Sequence, residues 1–309
     1  MPLLGGCPAL SQIVRATRRR EKRSSVRLTL IVFTLVWSCA GFGAESTCRE
    51  GMFPAIEHDA ASVVVATLNI AHGRGRALNQ MLIGKQQIRR NLDAVGRLLA
   101  RQGADVVALQ ELDVDSLWAG SFDHAARLME STGLNCAVLG MHAETWLYRF
   151  GTALLSEVQL TDPRVSSFQP TPPTTTKGFV SATLQWRQGA AIRPVRVVSV
   201  HLDFSRKGAR RRQLADIIEA INRSPIPIIL MGDFNEQWRP DDSVVRRLTE
   251  EAGMIAYQPQ SDDLASYKTS RLDWILISKE LEFVTYRTLQ DQVSDHRLVV
   301  AELRWSRGL

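Results

Sequence analysis

Six short segments of this chain each end an apolar run with a carboxylate, an amide or an imidazole. They are 67–69 (TLN), 107–111 (VALQE), 198–203 (VSVHLD), 231–235 (MGDFN), 271–274 (RLDW) and 294–296 (SDH). Isolated Asp, Glu and His side chains are costly to bury unless they are paired or bind a metal. Several such ends in one chain therefore predict a single cleft at which they converge. A cleft rich in carboxylate and amide oxygens, with imidazoles beside them, suits a hard divalent cation and phosphate chemistry.

Strand-like apolar runs alternate with helical patterns along most of the chain. The run at 62–69 precedes a helical pattern at 86–101, and the run at 195–200 precedes another at 207–222. This alternation predicts β-sheets covered by helices, although it does not separate two packed sheets from one doubly wound sheet. The stretch 169–177 (QPTPPTTTK), rich in proline and threonine, predicts a surface loop.

The basic excess of the chain is confined to its N-terminus. The formal net charge is +6, and residues 1–44 contain seven Lys and Arg against one Glu, which accounts for all of it. Residues 45–309 therefore carry no net formal charge. Overall charge thus gives no argument for nucleic-acid binding, and only local basic patches count.

A basic stretch followed by an uncharged run indicates export. The run at 28–44 (LTLIVFTLVWSCAGFGA) is intermediate in length between the apolar region of a signal peptide and a short membrane helix. The basic flank keeps the N-terminus in the cytoplasm and directs the following chain outward. We therefore expect residues 1–44 to be a signal peptide or an N-terminal membrane anchor, which would provide a membrane contact. Residues 45–309 would then be a catalytic domain in the periplasm, outside the cell or tethered to the membrane.

Two cysteines, Cys48 and Cys136, lie in the domain that follows the leader. An exported domain favours their pairing as a disulfide. The apolar surroundings of Cys136 equally suit an unpaired core residue, and the sequence leaves both alternatives open.

Taken in order, the six segments resemble the endonuclease/exonuclease/phosphatase superfamily, the metal-dependent phosphoesterases typified by pancreatic deoxyribonuclease. The resemblance runs from about Val63 to about Leu303. It implies an α/β (α+β) fold, a four-layer sandwich in which two packed, mixed β-sheets are flanked by helices. It also implies a Mg²⁺ or Mn²⁺ cofactor and hydrolysis of a P–O ester bond by an activated water.

The resemblance assigns the metal ligands and the residues around the attacking water. It implies Glu111 as the principal ligand, with Asn69 and Asp295 beside it. Asn69 alone would equally suit a cap of the turn that follows its strand. Asp233 is implied to orient or deprotonate the water, and Asn235 to position the substrate. Because they are two residues apart in an extended chain, both face the same side.

Two histidines complete the implied site. His296 would act on the scissile phosphate, with Asp273 as the hydrogen-bond partner that fixes its tautomer. His201 matches the deoxyribonuclease and sphingomyelinase-like branches, whereas abasic-site repair enzymes have Tyr there. His201 would protonate the leaving oxygen or stabilise charge on phosphorus. Relatives often place Asn or an acid near Thr152 to support this histidine, so we expect His201 to lack a charged partner.

Basic residues near the six segments are candidates for substrate contact. Arg74 and Arg76 lie in the glycine-containing loop after Asn69, and Arg210 lies in a basic run at 206–212. We expect a monomeric hydrolase of a phosphodiester substrate, with nucleic acid as the first candidate. The alternatives are a phospholipid or sphingomyelin phosphodiester, or a phosphomonoester. A non-enzymatic binding module would instead show gaps among the implied site residues, and the sequence has none.

Overall fold

Fourteen β-strands and four α-helices are present in the residues that the structure, a computed structural model, describes: 43–50, 57–239 and 241–307. The strands are β1 (Glu45–Cys48), β2 (Glu57–Asp59), β3 (Val63–Asn69), β4 (Val106–Asp113), β5 (Cys136–Glu144), β6 (Arg149–Ser156), β7 (Thr161–Ser167), β8 (Gly178–Gln188), β9 (Ala191–His201), β10 (Ile228–Asp233), β11 (Ile255–Ala256), β12 (Asp273–Ile277), β13 (Leu281–Thr288) and β14 (Val299–Trp305). The helices are α1 (Lys85–Gln102), α2 (His124–Thr132), α3 (Lys207–Asn222) and α4 (Val244–Glu251). The predicted leader lies outside the described residues apart from 43–44. Within those ranges, no helix combines the length and apolar character needed to cross a bilayer.

The strands form two seven-stranded sheets. The first has the order β1-β5-β6-β4-β3-β14-β13, and the second has the order β11-β12-β10-β9-β8-β2, with β7 also paired to β8. Parallel pairs (β3–β4 in the first sheet, β9–β10 and β2–β8 in the second) occur among antiparallel ones. Both sheets are therefore mixed, as the resemblance implies.

Alternating side chains of β3 show how the layers are built. Successive residues of a strand point to opposite faces. Val63 and Val65 pack in a core between the two sheets, whereas Ala66 and Leu68 pack against α1 and α2. A third core joins α3 and α4 to the outer face of the second sheet. Helices, sheet, sheet and helices thus make four layers, and the expected α/β (α+β) sandwich is confirmed.

The compact unit to which the described residues belong spans Gly41–Leu309. It contains all three hydrophobic cores. A unit with its own hydrophobic cores can in principle fold alone.

Helix boundaries follow residues that favour them. α2 begins after Asp123, whose side chain accepts hydrogen bonds from two backbone N–H groups, and ends at Gly133 in the left-handed conformation. α3 spans the predicted 207–222 without a shift, and Leu214 and Ile217 lie on its buried face.

The largest departures from the sequence prediction lie at sheet edges and in one loop. β1, β2 and β7 are not predicted; β7 is mostly exposed and contains Pro163, which an edge strand tolerates. The stretch 169–177, predicted as a surface loop, buries Thr171 and Lys177. The prediction is wrong for these two side chains, because the loop folds back over the end of β9.

A disulfide joins Cys48 of β1 to Cys136 of β5, with Cα atoms 4.1 Å apart. The two cysteines are directly opposite each other in the antiparallel pairing of these strands. Of the two alternatives that the sequence leaves open, the structure has the paired one.

The carboxyl ends of parallel strands from both sheets meet at one end of the sandwich, which we call the polar edge. β3 ends at Asn69 opposite Gln110 of β4, and β9 ends at His201 opposite Asp233 of β10. The two sheets are in contact there, because Asn69 Nδ2 donates to Asp233 Oδ2 at 3.0 Å. The side chains at the ends of these strands therefore converge at the polar edge, as the sequence predicts.

Candidate active site

Hydrogen bonds between the two sheets form the floor of the site. Gln110 Nε2, from the first sheet, donates to Thr67 Oγ1 at 3.2 Å and to Ser199 Oγ of the second sheet at 3.1 Å. Ser199 Oγ in turn donates to the carbonyl oxygen of Leu109 at 2.9 Å. All of these groups are buried, and a satisfied buried network orders its members. The two sheets are thereby held together directly beneath the residues of the polar edge.

Glu111 leaves the regular pairing of β4 at a β-bulge. The register with β6 shifts between Gln110 and Leu112, and Glu111 has a φ of +53°. Bulges re-aim side chains and are common beside functional sites. The Glu111 carboxylate lies 3.3 Å from His72 Nε2, and its Oε1 lies 3.9 Å from Lys177 Nζ.

The charge state of Glu111 follows from these neighbours. Burial alone would raise the pKa of the Glu111 carboxyl, but positive charge on His72 and Lys177 outweighs burial and holds the pKa below its usual range. Glu111 is therefore ionised, as a metal ligand must be.

A chain of polar contacts behind Glu111 orients its carboxylate. His72 Nδ1 lies 2.6 Å from Asp113 Oδ2, and Trp118 Nε1 donates to the other oxygen of Asp113 at 2.9 Å. Burial favours neutral His72, but Glu111 and Asp113 outweigh it and raise the pKa of the His72 ring. Histidine held between a carboxylate and a ligand residue is a common outer layer of metal sites. Sequence reasoning missed Asp113, although its place two residues after Glu111 in a strand was an available signal.

Asn69 makes the turn cap that the sequence offers as one alternative, together with a contact across the two sheets. Its Oδ1 accepts a hydrogen bond from Ala71 N at 2.9 Å, which caps the following turn. Its Nδ2 donates to Asp233, as described above. Asn69 thus fixes the loop after β3 and one oxygen of Asp233 at once.

Asp233 stands between the two histidines. Its Oδ2 lies 3.6 Å from His201 Nε2 and 3.8 Å from His296 Nε2. Burial raises the pKa of the Asp233 carboxyl, and the charge of Asp273 raises it further. Gly232 is required at the preceding position, because a Cβ there would lie 1.9 Å from the carbonyl oxygen of Val200.

His296 is paired with Asp273. Its Nδ1 lies 2.7 Å from Asp273 Oδ2, and both side chains are buried. Burial opposes a charged ring, but the carboxylates of Asp273 and Asp233 outweigh it and raise the pKa of His296 to about 10. His296 is therefore an imidazolium at neutral pH, with Nε2 directed at Asp233.

His201 has a cationic neighbour, contrary to the expectation from Thr152. Its Nδ1 lies 3.3 Å from Lys177 Nζ. Burial, and then Lys177, hold the pKa of His201 well below its usual value. An ammonium group only donates hydrogen bonds, so Nδ1 of the neutral ring accepts and the ring proton sits on Nε2.

Thr152 serves a different histidine. Its Oγ1 is 2.9 Å from Nε2 of buried His142, whose Nδ1 is 3.0 Å from Ser167 Oγ. The prediction that His201 lacks a charged partner is therefore wrong, since Lys177 lies on its Nδ1 side. Sequence reasoning missed Lys177 because it ends a loop expected to lie at the surface.

Asp203 explains how that loop is held against the site. Its Oδ2 accepts hydrogen bonds from Thr171 Oγ1 and Thr174 Oγ1, both at 2.9 Å. Its Oδ1 accepts from the backbone N–H groups of Ser205 and Arg206. Asp203 thus connects the loop at 169–177 to the segment between β9 and α3.

The remaining predicted residues differ in how far their polar groups are already engaged by contacts within the protein. Asn235 Nδ2 donates to the carbonyl oxygen of Leu202 at 3.0 Å, which uses one of its two N–H groups. Asp295 Oδ2 accepts from both terminal nitrogens of Arg74, at 3.0 and 2.6 Å. The predicted ligand Asp295 and the predicted substrate contact Arg74 are therefore engaged with each other.

The other two predicted arginines lie apart from this pair. Arg76 is exposed in the loop after β3. Arg210 lies 3.3 Å from Glu236 Oε2 and donates to the carbonyl oxygen of Asp203 at 3.0 Å. These contacts give Arg210 a structural role and weaken its candidacy for substrate contact.

The residues at the polar edge supply the types of ligand atom that a hard divalent cation prefers. Mg²⁺ and Mn²⁺ prefer carboxylate and amide oxygens, which Glu111, Asn69 and Asp295 supply. Asp273 Oδ1, close to Asp233, is buried and has no hydrogen-bond partner among the described residues. A buried carboxyl oxygen without a hydrogen-bond partner is a potential ligand atom for a hard cation.

Solved structures with the same fold share little sequence with this chain. An endonuclease/exonuclease/phosphatase from Beutenbergia cavernae DSM 12333 is 16% identical, with 80% of this chain and 72% of that chain covered and a TM-score of 0.62. The human Nocturnin catalytic domain with bound sulfate is 18% identical, with coverages of 85% and 98% and a TM-score of 0.58. A mannosyl-6-phosphatase from Bacteroides thetaiotaomicron VPI-5482 is 16% identical, with coverages of 79% and 100% and a TM-score of 0.55. A comparison with curated proteins gave no match.

Two helix-flanked mixed sheets, with carboxylates, amides and imidazoles at one edge, are the arrangement of a phosphoesterase of the α/β sandwich type. Residues 66–296 match the Endonuclease/Exonuclease/phosphatase family, and the chain belongs to that family. Its members are generally phosphoesterase hydrolases.

Proposed function

We propose that this protein is a divalent-metal-dependent hydrolase that cleaves a phosphodiester by attack of an activated water. The observation that carries the proposal is the position of Asp233. It lies between the Nε2 atoms of His201 and His296, and Asn69 Nδ2 donates to it from the first sheet. A buried carboxyl flanked by imidazole N–H donors is an arrangement for moving protons rather than for packing.

Asp233 would take the proton of the attacking water. Its raised pKa makes it a better proton acceptor than an ordinary aspartate. Asn69 Nδ2 and the backbone N–H of Asn235 each hold one of its oxygens, at 3.0 and 2.9 Å, and so fix its orientation.

The two histidines would donate hydrogen bonds to the phosphate. His296, kept protonated by Asp273, donates from Nε2 and stabilises charge on a phosphoryl oxygen. His201 also carries a proton on Nε2, because its Nδ1 faces Lys177, and would donate to the leaving oxygen. Donors placed in advance do not have to reorganise during the reaction.

Glu111, with Asn69 and Asp295, would hold the cation. When bound, Mg²⁺ or Mn²⁺ supplies positive charge that stabilises the negative charge developing on the phosphoryl oxygens. His72, backed by Asp113, keeps the Glu111 carboxylate ionised and oriented. Both carboxylates have cationic neighbours, but Arg74 lies 2.6 Å from Asp295, whereas His72 Nε2 lies 3.3 Å from Glu111, so Glu111 is the less tightly engaged of the two.

Replacing Glu111 tests this proposal. The Glu111→Gln variant of residues 45–309 should lose metal-dependent hydrolysis of bis(p-nitrophenyl) phosphate by at least about a hundredfold and bind Mn²⁺ more weakly by calorimetry. Glu130→Gln, an exposed position on α2, is the matched control and should behave as wild type. Wild-type turnover that persists in EDTA would refute the metal dependence.

The proposal also concerns the class of substrate. Nucleic acid remains the first candidate on the family resemblance and on the exposed Arg76. The basic run at 206–212 supports it less than expected, since Lys207 and Arg211 pair with Asp242 and Arg210 with Glu236. A parallel screen of plasmid DNA, RNA, sphingomyelin and a phosphomonoester would rank the candidates, and cleavage of the monoester alone would overturn the phosphodiester proposal.

We also propose that the catalytic domain works outside the cytoplasm. The basic flank and uncharged run support this, and so does the Cys48–Cys136 disulfide, because such bonds persist in oxidising compartments. An alkaline phosphatase reporter fused after residue 50 should be active, and the same fusion without residues 1–44 should not. An inactive but well-expressed full fusion, with a cytosolic reporter active at the same junction, would refute export.

A further inference from the structure

Large apolar side chains are exposed on three loops at the polar edge. The loops are 74–84 after β3, 114–123 after β4, and 145–148 between β5 and β6. We call their exposed apolar residues the apolar rim: Leu78, Met81, Leu82, Leu117, Trp146 and Leu147. Leu78 is 102% exposed and Trp146 is 86% exposed, so these two side chains contribute nothing to the core, whereas Leu147 is 41% exposed.

Hydrogen bonds join the three loops into one surface. Gln80 Nε2, in the first loop, donates to the carbonyl oxygen of Trp118 in the second at 3.1 Å. Leu117 N, in the second loop, donates to the carbonyl oxygen of Leu147 in the third at 2.9 Å. The loops that carry the apolar rim are therefore joined to one another, and exposed apolar side chains gathered on neighbouring loops mark an interaction site more often than isolated ones do.

The same loops reach the candidate active site. Gln80 Nε2 also donates to the carbonyl oxygen of His72, whose ring contacts Glu111. Trp118, next to Leu117, donates to Asp113 behind that histidine. A partner bound to the apolar rim would thus lie directly beside the polar edge.

Charge indicates an anionic surface as the occupant. Residues 74–85 contain Arg74, which is paired with Asp295, and the exposed Arg76 and Lys85, but no Asp or Glu, whereas the second loop has one exposed acid, Asp115. Exposed Leu and Met beside Arg and Lys, with Trp146 close by, is the composition of segments that lie in the interface of an anionic bilayer.

The position of the first strand relative to the predicted N-terminal segment also supports a bilayer as the occupant. Glu45, at the start of β1, lies opposite Leu139 in the middle of β5, and it forms an ion pair with Arg149, the residue after the third loop. The predicted export signal or anchor at 28–44 ends one residue before Glu45.

We propose that the apolar rim docks the polar edge of this domain onto an anionic lipid bilayer. The apolar side chains would enter the interface, while Arg76 and Lys85 contact lipid phosphates. Docking is independent of the chemistry at the cleft. Only the further step, that the cleft then meets phosphoesters at the bilayer surface, rests on the proposed function.

Vesicle flotation of residues 45–309 in EDTA tests the docking without any turnover. The protein should float with vesicles containing phosphatidylcholine and phosphatidylglycerol, and less with phosphatidylcholine alone. The combined variant Leu78→Ser, Met81→Ser, Leu82→Ser and Trp146→Ser should lose at least about tenfold in partitioning. Because these side chains are exposed, its melting temperature should stay close to wild type.

Two further variants separate the sources of binding. Ile192→Ser with Val284→Ser replaces exposed apolar residues outside the rim, 44% and 42% exposed, and should float as wild type does. Arg76→Gln with Lys85→Gln should remove the preference for anionic vesicles while weaker binding to neutral ones remains.

Several results would overturn the proposal. One is failure of the wild type to float with either vesicle, and another is a loss of vesicle partitioning in the Ile192→Ser, Val284→Ser control as large as that in the rim variant. Self-association through the rim in place of vesicle binding would also overturn it. Binding of a single-stranded oligonucleotide through the rim, without vesicle binding, would do the same. An inactive protein that still floats would refute the proposed function and support the docking, whereas an active protein that does not float would do the reverse.

Discussion

The two halves of the candidate site hold the same side chain in opposite electrostatic surroundings. His296 has a carboxylate on its Nδ1 side, Asp273, and a pKa raised to about 10. His201 has an ammonium group on its Nδ1 side, Lys177, and a pKa well below the usual value. Both Nε2 atoms nevertheless face one oxygen, Asp233 Oδ2.

The difference shows that the group on the Nδ1 side of a histidine determines the charge of the ring and therefore the kind of hydrogen bond that Nε2 donates. In both halves Nε2 carries a proton, but in the His296 half it belongs to an imidazolium and in the His201 half to a neutral ring. The first suits stabilisation of negative charge, and the second suits a hydrogen bond to the leaving group without an added positive charge. The following predictions test this contrast, from the largest expected effect to the smallest.

Breaking the His296 half should have the largest effect. Asp273→Asn and His296→Ala should each lower kcat/KM for a phosphodiester by about 10²- to 10⁴-fold, since the pair acts as one group. The double variant should be little worse than either single one. Asp291→Asn, a partly exposed aspartate outside the site, is the control. Simple addition of the two effects would show that Asp273 does not act through His296.

Breaking the His201 half should have a smaller effect. Lys177→Met should lower kcat/KM by about tenfold to a hundredfold, because His201 and Glu111 lose a neighbour that orients them. Lys177→Arg, which keeps a donor, should recover part of the loss. A long-range proton–nitrogen correlation spectrum should show His201 protonated on Nε2 in the wild type and a mixture of tautomers in Lys177→Met. A wild-type spectrum with the proton on Nδ1 would contradict the role of Lys177.

Changing Thr152 should affect stability more than activity. Thr152→Ala removes the partner of buried His142 Nε2 and should lower the free energy of unfolding by about 1–3 kcal/mol, with kcat/KM close to wild type. Thr152→Ser keeps the hydroxyl and should restore most of the loss. A large fall in kcat/KM without loss of stability would mean that Thr152 supports His201 after all.

His142 should make stability depend on pH in a limited range. Burial, with a further contribution from Lys177, lowers the pKa of His142 to about 3, whereas an unfolded histidine titrates near about 6.5. Between these values the unfolded chain binds the extra proton, so stability falls as pH decreases, by about 1.4 kcal/mol per pH unit from this group. Denaturant unfolding of His142→Gln should show a shallower dependence there. Parallel curves for the two proteins would argue against a buried neutral His142.

The His296 half was predictable from sequence and the His201 half was not. Asp273 and His296 each follow or precede an apolar strand within a recognisable segment, and their contact is present as the resemblance implies. Lys177 instead ends a run of prolines and threonines, a composition typical of exposed loops. Its burial depends on hydrogen bonds to Asp203 from Thr171 and Thr174, and contacts between distant segments leave no local pattern.

The fold shows the same division between regular patterns and long-range contacts. Strands with two buried faces, such as β10, and amphipathic helices, such as α3, were predictable because their apolar periodicity reports burial directly. β7 was not, because one strand neighbour and an exposed face leave it with Thr, Asp, Pro and Arg. The bulge at Glu111 and the ion pair of Arg210 with Glu236 likewise depend on neighbours that composition does not reveal.

Gln110 and Ser199 connect the two sheets beneath the candidate site. The rate of the proposed reaction should therefore depend on the distance between the sheets. Glu111 is carried by the first sheet, and His201 and Asp233 by the second, so distances across the cleft change whenever the sheets move apart or together. Facing sheets are separated by about 10 Å of interlocking side chains. A change of side-chain volume at Val180 or Ile229, buried between the sheets, would then alter turnover with every site residue intact. Moderate hydrostatic pressure, which compresses internal voids, should act on the same gap and tune the rate before it unfolds the protein.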